Sequence, residues 1–298
     1  MNRWQAVFMN PVLNKEVKLR FRSFKSFLGI LFYLFVLAAV ALLFIYMETV
    51  SVNRYGGFRA GESRMMFMVL SVVQMLLIAF MTPGLTAGAI SGERERQTLN
   101  ILLTTRQSST AIILSKLFSS LAYLLLIVVA SLPVYALVFL YGGVSPGMVI
   151  STFGIFVLTM FTFGSFGVMF STLIRKTIVS MITSYGVALF LLAGSVFLFF
   201  FLGELFFDAR TVVGPGQQPP VHITPYVLAM INPIVVMLSL FQGGIFFDVG
   251  RLSGIDIPLW QGFAASYLGM AVIAMLIAIR RLRPRMKSRT PRKVAQDE

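Results

Sequence analysis

The longest uncharged stretch of the chain, residues 117–174, reads LFSSLAYLLLIVVASLPVYALVFLYGGVSPGMVISTFGIFVLTMFTFGSFGVMFSTLI. One α-helix of this length would extend roughly 87 Å, whereas the hydrocarbon core of a bilayer is about 30 Å thick. A cluster of turn-forming residues, Tyr141-Gly142-Gly143-Val144-Ser145-Pro146-Gly147, lies inside the stretch. The pattern therefore predicts two membrane-spanning helices, 117–140 and 148–174, joined by a short turn.

The composition of the whole chain is typical of a membrane protein. Hydrophobic residues make up 57% of the 298 residues and charged residues only 12%, whereas soluble domains have about 25% charged residues. This composition excludes soluble globular, disordered and small secreted proteins. The chain has no cysteine and a single histidine, so disulfides, thiolate metal sites and multi-histidine metal motifs are excluded too.

Four further runs, 27–47, 65–92, 177–203 and 257–279, are uncharged and long enough to cross a bilayer. Together with the two helices of the longest stretch, they predict an all-α integral membrane protein with six transmembrane helices. The prediction treats residues 1–298 as a single transmembrane domain. The chain lacks the glycine-rich sequence of a P-loop, and so any ATP hydrolysis would belong to another subunit.

Residues 226–247 are also long enough to span, but Asn232-Pro233 interrupts the run. The distribution of charge favours six spans. With both termini in the cytosol, the inner segments carry 20 of the 25 Lys and Arg residues, as the positive-inside rule expects. A seventh span would place the basic tail, 280–298, outside. We therefore interpret 226–247 as a re-entrant segment or external helices on the outer side, between spans five and six, with a spanning helix as the alternative.

The net charge of +14 is, on this topology, a signal of orientation in the plasma membrane. Nucleic-acid binding would need a basic surface with base-reading or stacking groups, and the sequence offers none. The short outer loops argue against a large extracytoplasmic domain. Drug, peptide, lipid and polysaccharide substrates all remain open.

The segment before the first span, residues 3–26, is predicted to form an amphipathic helix in the plane of the membrane surface. On a helical wheel, Leu13, Val17 and Phe21 lie in one apolar sector, and the basic residues lie opposite. The polar positions expected to contact lipid headgroups are Lys15, Glu16, Lys18, Arg22 and Lys25. The alternative is a general anchor that only orients the chain.

The cytosolic segment between spans two and three, residues 91–116, reads SGERERQTLNILLTTRQSSTAIILSK. Its first part predicts a helix, 93–104, with an apolar stripe at helical spacing formed by Leu99, Leu102 and Leu103. An apolar stripe framed by charges suits docking in a groove of a partner protein. The alternative is a loop helix that packs on its own chain.

Two of these segments resemble the type-2 ABC-transporter (ATP-binding cassette) permease family. Residues 10–20, NPVLNKEVKLR, are similar to the start of such permeases, and residues 93–105, ERERQTLNILLTT, are similar to the coupling helix after their second span. The family pattern in the coupling helix is Gly-Thr, an apolar pair and Thr-Pro. This chain departs from it with Gln97 in place of glycine and Thr105 in place of proline.

The resemblance implies the permease subunit of an ATP-driven exporter, which forms half of a translocation pathway with a second copy or a sister permease. A separate ATPase subunit would bind ATP and Mg²⁺, so this chain would hold no cofactor, metal or catalytic residue. The residues implied to contact that ATPase are Glu93, Arg94, Glu95, Thr98, Leu99, Leu102 and Leu103.

Gly84, Gly88 and Gly92 recur at four-residue spacing near the inner end of span two. Small residues at this spacing let helices approach closely; the partner is either another helix of this chain or a second permease. The central parts of the spans carry no Asp, Glu, Lys, Arg or His, which disfavours an ion-coupled secondary transporter. A non-transporting membrane scaffold or sensor is the other alternative.

Overall fold

The computed structural model describes residues 24–48, 60–98, 109–140, 142–199, 201–202, 223–241 and 257–282, which are mostly helical and contain no β-strand. The helices are α1 (Phe24–Met47), α2 (Ala60–Thr86), α3 (Ser91–Glu95), α4 (Ser109–Ala130), α5 (Leu132–Leu140), α6 (Pro146–Leu173), α7 (Thr177–Leu189), α8 (Thr224–Ile231), α9 (Pro233–Phe241) and α10 (Leu259–Leu282).

Six helical segments within the described residues are long and apolar enough to cross a membrane. They are Ser26–Met47, Gly61–Glu95, Ser109–Phe139, Pro146–Leu173, Thr177–Phe199 and Leu259–Leu282, numbered here as spans one to six. The predicted all-α membrane fold is thereby confirmed.

The turn that separates spans three and four has clear chemical causes. Gly142 and Gly143 have φ angles of 76° and 86°, in the left-handed region that glycine adopts without steric cost. The Ser145 hydroxyl then accepts a hydrogen bond from the Met148 N–H at 3.3 Å and caps α6. Pro146 occupies the first turn of α6, where a missing N–H costs nothing.

Two spans are not continuous α-helices. Span three breaks at Ser131, between α4 and α5, where the Ser131 hydroxyl donates to the Val128 carbonyl at 2.7 Å. Span five contains a π-helical turn, Phe190–Gly194, after which the helix continues to Phe199. Pro133, two residues after the break, predicts a kink in span three, whereas the sequence does not predict the π-helical turn of span five.

Helix α6 lies at the centre of the bundle and contacts α2, α4, α7 and α10. Its interfaces combine buried hydroxyl and small residues with aromatic pairs. In the middle of α6, the rings of Phe163 and Tyr267 stack with centroids 6.4 Å apart. Nearer the start of α6, Phe153 meets Tyr135 edge to face at 5.5 Å. This mixture is typical of helix packing in lipid, where close contact between helices drives their association instead of the hydrophobic effect.

Helices α8 and α9 form an elbow with a bend of 95° at Asn232, which is the geometry of a re-entrant loop or of a broken span. The Arg64 guanidinium of α2 donates a hydrogen bond to the Phe241 carbonyl at the end of α9. Of the predicted segment 226–247, residues 242–247 lie outside the described residues.

The two terminal segments lie largely outside the described residues. Of the predicted interfacial helix, 3–26, only residues 24–26 are described, as the start of α1. Lys15, Glu16, Lys18 and Arg22 therefore lie outside the described residues, and Lys25 falls within α1. Of the basic tail, residues 283–298 lie outside as well.

Candidate functional site

The end of the bundle at which span two finishes contains a polar cluster formed by charged residues of the predicted coupling segment. Helix α2 ends at Thr86, and four turn residues lead to α3. The hydroxyl of Ser171 on α6 accepts hydrogen bonds from the N–H groups of Ile90 and Ser91, at 2.8 and 2.9 Å. These N–H groups have no partner within α3, so a side chain of α6 caps the first turn of α3.

Glu93 connects α3 to span three. Its carboxylate lies 3.0 Å from the Lys116 ammonium of α4, and it also accepts a hydrogen bond from the Thr98 hydroxyl. The two charged side chains are only 31% and 10% exposed. Partial burial opposes ionisation of Glu93, but the hydrogen bonds from Thr98 and Lys116 outweigh it and hold its pKa below the usual value.

Glu95 connects α3 to span five. Its carboxylate accepts hydrogen bonds from the Thr177 N–H at 2.8 Å and from the Thr177 hydroxyl at 2.9 Å. Thr177 is the first residue of α7, so Glu95 caps that helix at the end where a negative charge is stabilising. The same two hydrogen bonds lower the pKa of the Glu95 carboxyl. Both carboxyls follow the uncharged run that ends at Gly92 and lie beyond the apolar part of span two.

Arg94 connects α3 to the end of span four. Its guanidinium donates to the Thr172 carbonyl at 3.2 Å and to the Ile174 carbonyl at 3.5 Å. Carbonyl groups at the end of a helix lack partners and attract positive charge. The three consecutive residues Glu93, Arg94 and Glu95 thus tie α3 to three different spans.

Helix α3 ends in a Schellman motif. The Gln97 N–H donates to the Arg94 carbonyl and the Thr98 N–H donates to the Glu93 carbonyl, at 3.1 and 3.0 Å. Gln97 itself has a φ angle of 59°, in the left-handed region. The prediction of a continuous helix over 93–104 is therefore wrong, because α3 ends at Glu95 and Gln97 adopts a left-handed φ angle. Residues 99–104 lie outside the described residues.

The glycine ridge faces span five of the same chain. A Cβ atom added to Gly84 would lie 2.7 Å from the Tyr185 hydroxyl, and one added to Gly88 would lie 3.3 Å from Cγ2 of Thr177. A Cβ on Gly92 would lie 4.0 Å from the Thr177 hydroxyl. The three glycines allow span two to approach α7 closely, near the point where Glu95 binds Thr177.

The predicted coupling residues fall into two groups. Glu93, Arg94, Glu95 and Thr98 lie together on or just after α3. Leu99, Leu102 and Leu103 lie outside the described residues. Glu93, Arg94 and Glu95 bind other helices of the same chain and anchor the segment to the bundle, whereas the Thr98 hydroxyl donates to Glu93 within the segment.

The profile of the family described as ABC-2 family transporter protein matches residues 11–282, most of the chain. The chain belongs to this family. It is thus the permease component of an ABC transporter and a multi-pass protein of the plasma membrane. ABC-2 permeases are transport subunits that pair with a separate ABC ATPase, which hydrolyses the ATP. No curated protein matches the sequence.

The permease contains site residues that the sequence analysis missed. Ser171 caps α3, and Gly167 lies so close to α2 that an added Cβ would be 2.0 Å from the Thr86 hydroxyl. An added Cβ on Gly164 would be 3.1 Å from Leu117. The available signal was the recurrence of small residues at Gly164, Gly167 and Ser171, which places them on one face of α6.

We expect Gln97→Gly to stabilise the permease by about 0.5–1 kcal/mol, because glycine adopts the left-handed conformation without the steric cost that glutamine bears. Thermal unfolding in detergent measures this change. The matched control is Arg96→Gly, since Arg96 has a φ angle of −79° and should gain nothing. An equal gain at both positions, or a loss at position 97, would contradict the interpretation of the Schellman motif.

Proposed function

We propose that this permease is one half of an ATP-driven exporter and that residues 91–104 couple it to the ATPase subunit. The anchoring of α3 to three other helices supports this proposal. Ser171, Lys116 and Thr177 bind α3 from three different helices. A displacement imposed on this segment from the cytosol would therefore be transmitted to spans three, four and five together.

The proposal gives the two halves of the segment different roles. The charged residues Glu93, Arg94 and Glu95 are the anchors on the permease side. The apolar stripe of Leu99, Leu102 and Leu103 docks in a groove of the ATPase, in the helix-in-groove mode. Gln97 separates the two halves, because the chain leaves the direction of α3 at this residue. ATP and Mg²⁺ would bind only in the ATPase subunit.

A pair of permeases would enclose the pathway, with a second copy or a sister permease as the other half. Spans one and five are the candidates for this contact, because only 17% and 22%, respectively, of an apolar 18-residue stretch of each span is buried within the chain. Their exposed apolar side chains include Phe32, Phe35, Ile182 and Phe197. Export as the direction of transport is supported by the resemblance of the coupling segment to type-2 exporters.

The proposed topology places both termini in the cytosol, with Lys15, Lys18, Arg22 and Lys25 at the anionic inner leaflet. Since the chain has no cysteine, single cysteines test it cleanly. Met286→Cys should react with an impermeant maleimide only after the cells are permeabilised. Gly147→Cys, in the first turn of span four at its proposed outer end, should react in intact cells. Labelling of position 286 in intact cells would instead support seven spans.

The proposed function is tested by purifying the tagged permease from its native membrane in a mild detergent. We expect a P-loop ATPase to co-purify and the complex to hydrolyse ATP. If no such subunit accompanies the permease under conditions that preserve membrane complexes, the proposed coupling fails. Transport driven by an ion gradient without ATP would contradict it independently.

A further inference from the structure

The π-helical turn of span five leaves backbone groups that the span itself does not satisfy. In the turn Phe190–Gly194, the Ser195 N–H bonds to the Phe190 carbonyl, five residues earlier, which shifts the hydrogen-bond ladder. A shifted ladder leaves carbonyl groups in need of another donor, and at membrane depth such groups are costly unless protein satisfies them.

Asn232 supplies a donor from the corner of the α8–α9 elbow. Its amide nitrogen donates to the Leu192 carbonyl at 2.6 Å, and it lies 2.7 Å from the Ser195 hydroxyl and 3.1 Å from the Leu191 carbonyl. The Ser195 hydroxyl in turn donates to the Leu191 carbonyl at 2.6 Å. The amide nitrogen of Asn232 thus supplies the hydrogen-bond donor that the carbonyl groups of the π-turn need.

The other end of the same amide caps α9. The oxygen of Asn232 accepts hydrogen bonds from the N–H groups of Ile234 and Val235, at 2.9 and 3.0 Å. Because one side of the group meets carbonyls and the other meets N–H groups, only one orientation of the amide satisfies both. Asn232 is fully buried, so water cannot replace either set of bonds.

The elbow itself is held by span six and not only by span five. Tyr267 of α10 donates a hydrogen bond to the Ile231 carbonyl at 2.9 Å, directly before the corner. Tyr226 of α8 donates to the Ile257 carbonyl at 2.8 Å, just before α10 begins. A Cβ atom on Gly262 of α10 would lie 3.0 Å from the Met230 sulfur, so α8 lies directly against span six.

We propose that Asn232 is a positioning residue that fastens the outer half of span five to the elbow and thereby to span six. The outer parts of these two spans then move as one unit during transport. This inference rests on the proposed function, since the motion it describes is the one driven by ATP. The side chain touches no substrate; it acts by fixing the geometry of the π-turn.

The test is a distance measurement between spin labels in the cysteine-free chain. One pair joins Phe197→Cys, after the π-turn, to Gln261→Cys on span six; both positions are exposed. The reference pair joins Ile150→Cys on α6 to Gln261→Cys and does not cross the Asn232 link. The labelled permease is studied in lipid nanodiscs, alone and, where the ATPase co-purifies, in the complex trapped with ATP and vanadate.

In the otherwise unchanged chain, we expect a narrow distribution for the 197–261 pair, at the same distance with and without trapping. Asn232→Ser retains an N-cap for α9 but cannot reach span five, so the 197–261 distribution should broaden at least twofold while the 150–261 pair stays narrow. Asn232→Asp, which presents a carboxylate to the carbonyls of the π-turn, should broaden it further.

Two results would overturn the proposal. The first is an unchanged 197–261 distribution in Asn232→Ser, and the second is a shift of this distance on trapping without any substitution. If Asn232→Ser also broadens the 150–261 distribution, the 197–261 distance with and without trapping still decides, because that comparison needs no variant at position 232. Failure of ATPase binding would appear as loss of co-purification and would leave the distances in the isolated permease interpretable.

Discussion

Gly167→Val is expected to prevent the permease from reaching its folded state. An added Cβ would lie 2.0 Å from the Thr86 hydroxyl, 2.8 Å from the Thr86 Cβ and 3.2 Å from the Ala87 nitrogen. Thr86 is fully buried, and its hydroxyl donates to the Thr82 carbonyl at 2.7 Å. Overpacking a tight core costs about 1–3 kcal/mol per small insertion and more for a branched side chain next to backbone.

Expression and size-exclusion profiles in detergent measure the loss, and Gly167→Ala should give a milder decrease in the unfolding temperature. The control on the same helix is Gly154→Ala, where an added Cβ meets nothing within 4 Å; it should leave stability unchanged or raise it, since alanine favours helices. Combining Gly167→Ala with Thr86→Gly should restore part of the stability. Equal tolerance of Ala at positions 154 and 167 would contradict the close crossing of α2 and α6.

Leu102→Asp is expected to abolish stable association with the ATPase. If Leu102 is buried in a groove of the partner, a carboxylate there would have to be desolvated without a counter-charge. Central apolar contacts of this kind contribute about 2 kcal/mol or more, which corresponds to a loss of roughly 30-fold in affinity. Co-purification and binding of the ATPase to permease in nanodiscs measure the effect.

Asn100→Asp is the matched control, because it adds the same charge to the same segment but away from the apolar stripe. It should leave association close to normal. The thermal stability of the isolated permease should be unchanged in both variants. If Leu102→Asp retains the ATPase, or if Asn100→Asp loses it equally, the stripe is not the docking surface and a scaffold or sensor role gains support.

The sequence predicted the spans well because each apolar run must match the thickness of a bilayer, a constraint that acts on local composition alone. The turn before α6 was predictable for a similar reason, since Gly142, Gly143 and Pro146 specify it locally. The break in span three has a local signal as well, because Pro133 lies two residues after it, but the π-helical turn of span five has none. The π-turn of span five is completed by Asn232, which lies far along the chain, so no window around Phe190 contains its cause.

The candidate site likewise has a part that the sequence predicts and a part that it does not. The charges of α3 were visible in the sequence, but their partners were not, because Ser171, Lys116 and Thr177 come from three separate helices. The end of α3 had a sequence signal at Gln97, in the comparison with the family pattern given above. The family pattern has glycine there, and the left-handed φ angle of Gln97 gives the physical reason for that preference.

The most direct test of the coupling proposal is a photo-crosslink in the native membrane. A photoreactive residue replaces Leu99 in one variant and Gly147, at the outer turn, in the other. We predict that illumination joins the permease to a P-loop ATPase from position 99 and not from position 147, identified by mass spectrometry of the adduct. Absence of an ATPase adduct from position 99 in membranes that contain the assembled complex would contradict the coupling role of this segment.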